Sequence, residues 1–137
     1  MEKPSTQLEA FLFYMEKMDV EMIDLILDDD KTYEDVSKSD FISMLDMAIS
    51  YIKVNGGEQL VAYAGFCDSK NCQNACKSAY SFVSKKTMQR IDLVTEVKAG
   101  KILDIYTCYD INIFDKIPNF KEFEFVPLID ERDFDIF

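Results

Sequence analysis

The chain has 137 residues, 48% of them hydrophobic, with 15 Lys and Arg against 26 Asp and Glu for a formal net charge of −11. That length suits one domain with a real core, and the charge argues against sequence-independent nucleic-acid binding, which needs Lys and Arg to neutralise phosphates. Histidine is absent, which excludes Ser-His-Asp and Cys-His nucleophiles, His metal ligands and an imidazole pH switch.

No apolar run approaches the ~18–20 residues that span a bilayer, so no membrane partner is expected. The N-terminal stretch Met1-Glu2-Lys3-Pro4-Ser5-Thr6-Gln7 lacks the charged-then-apolar order of a secretory signal. Four cysteines and seven methionines fit a reducing interior, since disulfide-dense scaffolds are smaller and richer in Cys. The expected location is the cytoplasm, or else the chain is a mature form whose leader has been removed.

The first predicted helix opens at Thr6-Gln7-Leu8-Glu9, a capping-box pattern, and Leu8, Phe11, Leu12 and Met15 recur at helical spacing. Asp19 is placed to cap a second helix with the stripe Met22, Ile23, Ile26 and Leu27. Asp28-Asp29-Asp30 suits neither a helix C-terminus nor an EF-hand loop and reads as a solvated exit into a turn. Thr32 to Val36 is β-compatible. Ser37-Lys38-Ser39-Asp40 opens a third helix with Phe41, Ile42, Leu45, Ala48, Ile49 and Ile52 on one face. Asn55-Gly56-Gly57 closes it.

From Glu58 the period changes from 3.6 to 2, and four strands are expected at about 58–67, 77–85, 88–98 and 101–111. Ala99-Gly100 marks a tight hairpin. Ile91, Leu93 and Val97 are set against Arg90, Asp92, Glu96 and Lys98, which reads as one packed and one wet face. Leu103 and Ile105 alternate in the same way with Asp104 and Tyr106. Helices first and an antiparallel meander afterwards give the class α+β. The stretch 112–137 has no clean period and carries six Phe among seven acidic residues. It is expected to dock over 113–128, because so much exposed Phe is a liability, and to end in a few mobile residues.

Element order, the text from Leu8 to Tyr14 followed by Met18-Asp19-Val20-Glu21, Phe41-Ile42 at the head of the long helix, and the closing pieces Ile91-Asp92-Leu93 and Ile102-Leu103-Asp104-Ile105-Tyr106 resemble the nuclear-transport-factor-2-like group, also called SnoaL-like or ketosteroid-isomerase-like. The resemblance covers about residues 5–111. It implies a cystatin-like cone: N-terminal helices packed on a curved antiparallel meander, with a pocket between sheet and long helix and a homodimer formed through the outer sheet face. On that reading residues 1–111 are a single domain and 112–137 an acidic, Phe-rich C-terminal extension. Members of the group include isomerases, hydratases and cyclases, ligand-binding modules and transport adaptors.

Two constellations carry chemistry. Cys67, Cys72 and Cys76 form C-x4-C-x3-C, and thiolates at such spacing can hold a structural zinc, with Asp68 or a second chain completing the shell. A Cys67–Cys76 disulfide or three reduced thiols are the other readings. Cys108 is expected to be a poor fourth ligand, since three strand spacings of ~4.8 Å separate it from Cys67 in a flat meander. The second constellation is Asp104 with Tyr106, together with Tyr33, Asp35 and Tyr63, where a desolvated Asp could act as a general base; the competing reading is a wet sheet face. No dedicated cofactor is expected. Met15, Met18, Met22, Met44 and Met47 read as core filler, or as an adaptable binding surface. The expected function is binding of a small apolar ligand. The alternatives are an acidic interaction module or homodimeric adaptor, an isomerase- or hydratase-type enzyme using Asp and Tyr, and a cysteine-loop metal or redox module.

Overall fold

The computed structural model describes residues 5–67, 77–113 and 115–129. Helix α1 (Gln7–Glu16) begins where Thr6 accepts the Glu9 N–H at 3.1 Å. The Glu9 carboxylate reaches back to the N–H and hydroxyl of Ser5, both at 2.9 Å. The box therefore closes on the residue before the cap. Asp19 caps α2 (Val20–Ile26) by accepting the Met22 N–H. The acids that follow are matched by lysines: Asp28 pairs with Lys31 and Lys101, and Lys38 bridges Asp24 and Asp29.

Strands β1 (Thr32–Tyr33) and β2 (Val36–Ser37) form a small hairpin. Its central residues Glu34 and Asp35 both have positive φ, 54° and 62°, as a type I′ turn demands. Helix α3 (Lys38–Val54) is capped by Ser37 and buries Phe41, Met44, Leu45, Ala48, Ile49 and Ile52. It ends at Gly56, whose φ of +104° few other residues adopt.

The main sheet contains β3 (Val61–Cys67), β4 (Lys77–Ser84), β5 (Gln89–Lys98), β6 (Lys101–Thr107), β7 (Ile111–Asn112) and β8 (Glu124–Phe125). Its order is β6-β5-β4-β3-β7, with β8 parallel to the start of β5. The class is α+β, and the order of elements from α1 to β6 is the one the resemblance implies. Ala99 and Gly100, φ 51° and 80°, make the β5–β6 hairpin.

Connectivity shows that the sheet is curled. Strands β6 and β7 bound it at opposite sides, yet only Cys108, Tyr109 and Asp110 join them. Four flat spacings would need about 19 Å, whereas four Cα steps reach at most about 14 Å. The sheet must bend until its two margins approach.

The concave face packs on the helices. Phe11, Met15, Tyr33, Phe41, Leu45, Ile49 and Ile52 meet Phe82, Ile91, Leu93, Ile102 and Ile105, all essentially inaccessible to solvent. Phe11 meets Phe82 edge-on at 6.1 Å between centroids. The space between α3 and the sheet, where the resemblance implies a pocket, is thus occupied by side chains.

The convex face departs from expectation. Of the residues expected to be wet, Asp92 is 1% exposed and Arg90 and Glu96 are half-buried, while Lys98 is exposed. After β7 the chain crosses this face and returns as β8, burying Ile113, Ile117 and Phe123 against Val83. Where this segment lies, the sheet is packed on both faces. A second copy approaching this face would meet the crossing segment rather than bare strands. Leu103 is a further correction. Glu96 pairs with Asp104 and Val97 with Ile102, so Leu103 is the extra residue of a bulge and lies 43% exposed, while Ile102 turns inward.

Candidate functional site

The residues singled out in the sequence fall in separate places. Tyr33 is fully buried and packs on Phe41, and its hydroxyl accepts the Asp28 N–H at 3.1 Å. Asp35 occupies the β1–β2 turn. That turn lies against β6, where Asp104 accepts N–H groups of Glu34 and Ile105. Tyr106 packs by Cys67, Ala79, Val94 and Cys108 on the convex face. Tyr63 packs beside Val83 and Phe123, with the Lys85 ammonium 5.6 Å above its ring. Asp35 and Asp104 are brought together, and Tyr33 lies two residues before Asp35 in the same hairpin. Tyr63 and Tyr106 belong to other surroundings.

Glu34 joins the first group and carried no signal in the sequence beyond its turn position. Its carboxylate accepts the Thr107 N–H, and its own N–H donates to the Ile105 carbonyl at 2.8 Å. Burial is the main force raising the pKa of both Glu34 and Asp104; repulsion from Asp104 and Asp35 adds to it at Glu34, and repulsion from Glu96 and Asp35 adds to it at Asp104. The arrangement stitches the turn to β6. Both carboxylates are engaged by backbone N–H groups.

On the convex face Asp92 accepts a 2.6 Å hydrogen bond from the Ser81 hydroxyl on one oxygen and pairs with Arg90 through the other. The Arg90 guanidinium stacks on Phe120 and Phe125, 4.2 and 5.5 Å from their centroids. Burial pushes the Asp92 carboxyl up to about 6, against the lowering effects of Ser81 and Arg90. It can hold a proton near that pH, but the segment above it separates it from any substrate.

Cys108 corrects the flat-sheet expectation. Its thiol is in hydrogen-bond contact with that of Cys67, and both pack on Ala79 and Val94. Strand β6 stops where Thr107 pairs with Leu93, midway along β5, and the curled sheet then carries the chain back over β3. Cys72, Cys76 and Asp68 lie outside the described residues. Among the described residues no group of three or more Cys, Asp or Glu is placed to hold a metal, and no helix is long and apolar enough to cross a membrane.

An apolar opening lies elsewhere among the described residues. A cavity of about 330 Å³ lies between α3 and the returning C-terminal segment, lined by Met47, Ala48, Tyr51, Phe125, Val126, Pro127 and Ile129, with Glu124 beside them. The Tyr51 hydroxyl donates to Glu124 at 3.0 Å, and the Gln89 amide donates to its other oxygen at 2.8 Å. The floor is thus apolar and one end polar. Met47, first read with the core methionines, is 38% exposed here. Met47 and Tyr51 stand one helical turn apart outside the core stripe, which is the only trace this groove leaves in the sequence. A second opening of about 480 Å³ within 111–122 is lined by Asp115, Asn119, Lys121 and Glu122 among others.

No protein-family model matches the chain, and no curated protein matches it. Among solved structures it is similar to an M. tuberculosis LEH-like epoxide hydrolase, with 19% identity, coverage of 80% of this chain and 86% of that one, and a TM-score of 0.38. A likeness this loose assigns no role to any residue of this chain.

Proposed function

We propose that the chain is a non-catalytic binding protein whose site for a small apolar ligand is the groove between α3 and the C-terminal segment, not the interior between helix and sheet. The observation that carries this is the 330 Å³ cavity with its apolar floor and its Tyr51–Glu124 pair. Its size falls at the lower end of small-molecule sites, which are mostly apolar with a few polar groups that fix orientation. A ligand with one hydroxyl or amine would set its apolar body on Met47, Phe125 and Ile129 and donate to the Glu124 carboxylate. Titration with a neutral apolar fluorophore such as Nile red tests this. Saturable binding is expected, weakened about tenfold by Met47→Glu, which places a charge on the apolar floor at an exposed helix position that tolerates Glu. Unsaturable binding, or binding indifferent to Met47→Glu, would sink the proposal.

A second reading, an acidic interaction module, is favoured by the filled interior and the net charge of −11. It expects capture of a cationic protein with a strongly salt-dependent on-rate. The homodimer that the resemblance implies would, on either reading, use the segment crossing the convex face.

A further inference from the structure

The two described cysteines are far apart in sequence and adjacent in space. Cys67 ends β3, and Cys108 is the first residue after β6. Their thiols touch, and they are packed between Ala79 of β4 and Val94 of β5. The Cys108 N–H is fixed to the Asp92 carbonyl at 3.0 Å, and Cys67 is fixed by pairing with Ile111 of β7. Backbone bonds on both sides therefore hold the two sulfurs together. Both are reduced in this structure. A disulfide needs Cα atoms within about 7 Å and converging Cβ vectors, and two thiols in hydrogen-bond contact already meet the convergence requirement.

We propose that Cys67 and Cys108 are a thiol–disulfide pair, oxidised by a small disulfide of the glutathione type, whose bond staples the end of β3 to the end of β6 where the sheet curls closed. Cys67 reacts first, because it is 8% exposed and Cys108 is fully buried. Its thiolate attacks one sulfur of the small disulfide, whose S–S bond breaks, and one small thiol leaves. Cys108 then attacks the Cys67 sulfur of the mixed disulfide, and the second small thiol leaves. Two protein thiols are oxidised, one small disulfide is reduced to two thiols, and the two protons lost by the protein end on those thiols. Burial pushes the Cys108 thiol up, so the closing step is slow and awaits local opening. The closed bond then spans a long loop, the case in which a cross-link constrains the unfolded chain most.

The whole chain is equilibrated in glutathione buffers from reducing to oxidising, blocked with an alkylating agent and digested with trypsin. Cys67 and Cys108 then fall on peptides 54–70 and 102–116, and Cys72 and Cys76 on 71–77. The expected product is 54–70 joined to 102–116, formed equally well in the C72S/C76S double variant and absent in Cys108→Ser. The joined form should melt about 5–10 °C higher than the reduced form. Linkage of 54–70 to 71–77 in place of 102–116, or four free thiols at the most oxidising ratio, would overturn the pairing. A joined form that melts no higher would overturn its role as a staple. The double variant retains both residues of the pair, so the test survives if Cys108→Ser folds poorly.

Discussion

At Asp92 a carboxylate sits where water barely reaches it, and its pKa rises to about 6 as a result. The unfolded value is near 3.9, so the folded state binds the proton more tightly. The stabilising contribution is complete below pH ~4 and is lost as the pH climbs through ~6. Over that window the loss is about 3 kcal/mol for this group. Glu34 and Asp104, also raised by burial, act in the same direction. Urea unfolding at pH 4.5, 6 and 7.5 should therefore show stability falling with pH. In Asp92→Asn, which cannot ionise, the fall between pH 4.5 and 7.5 should shrink by about 2 kcal/mol, the share of that loss lying above pH 4.5; an unchanged fall would place the titration elsewhere. None of this was legible in the alternation of β5. Arg90 and Asp92 read as a wet pair there, because the strand pattern cannot show that a later part of the chain lies on top.

Among the elements, those whose identity is local were legible. Thr6 and Asp19 each cap the helix they were expected to cap, the third helix starts within the expected Ser37–Asp40 stretch, and Ala99-Gly100 makes the expected hairpin. The β1–β2 turn keeps two non-glycine residues at positive φ, which is unfavourable for L-residues. Asp35→Gly should therefore stabilise by about 0.5 kcal/mol, net of the extra freedom glycine has when unfolded, as read from the urea midpoint. Glu34 should not be changed in this test, since its carboxylate holds the Thr107 N–H. The segment after β7 was legible only as an excess of Phe. Among its described residues it forms a short 3-10 turn at Phe120–Glu122 and the two-residue strand β8, too brief for any period to repeat. Backbone bonds to β5 fix its end, and the rest of its hold is apolar: Phe123→Ala should cost about 3 kcal/mol by leaving a hole over Val83. A cost below ~1 kcal/mol would show that the segment rests loosely on the sheet.

For the molecule as a whole, charge and curvature are the two long-range properties. Each chain carries −11, so two copies repel until salt screens them, over a Debye length of ~10 Å at 0.1 M. If the homodimer forms, its dissociation constant should fall as salt is raised from 0.02 to 0.5 M, measurable by sedimentation equilibrium; a monomer throughout would remove the dimer. Curvature is what defeated the flat-sheet estimate for Cys108, because no residue in β3 to β6 announces it. It follows instead from the brevity of the link between β6 and β7.

That brief link ties together the two outermost strands of the sheet, so neither can peel away without dragging the other. Exposed strand margins are templates on which other chains add. The β6 margin is capped by Gln7, Lys31 and Glu34, so a local rupture at Cys108–Asp110 would bare the β7 margin. Such a molecule accepts a neighbour on that one margin, and the expected mode of failure is pairing of opened molecules rather than simple unfolding.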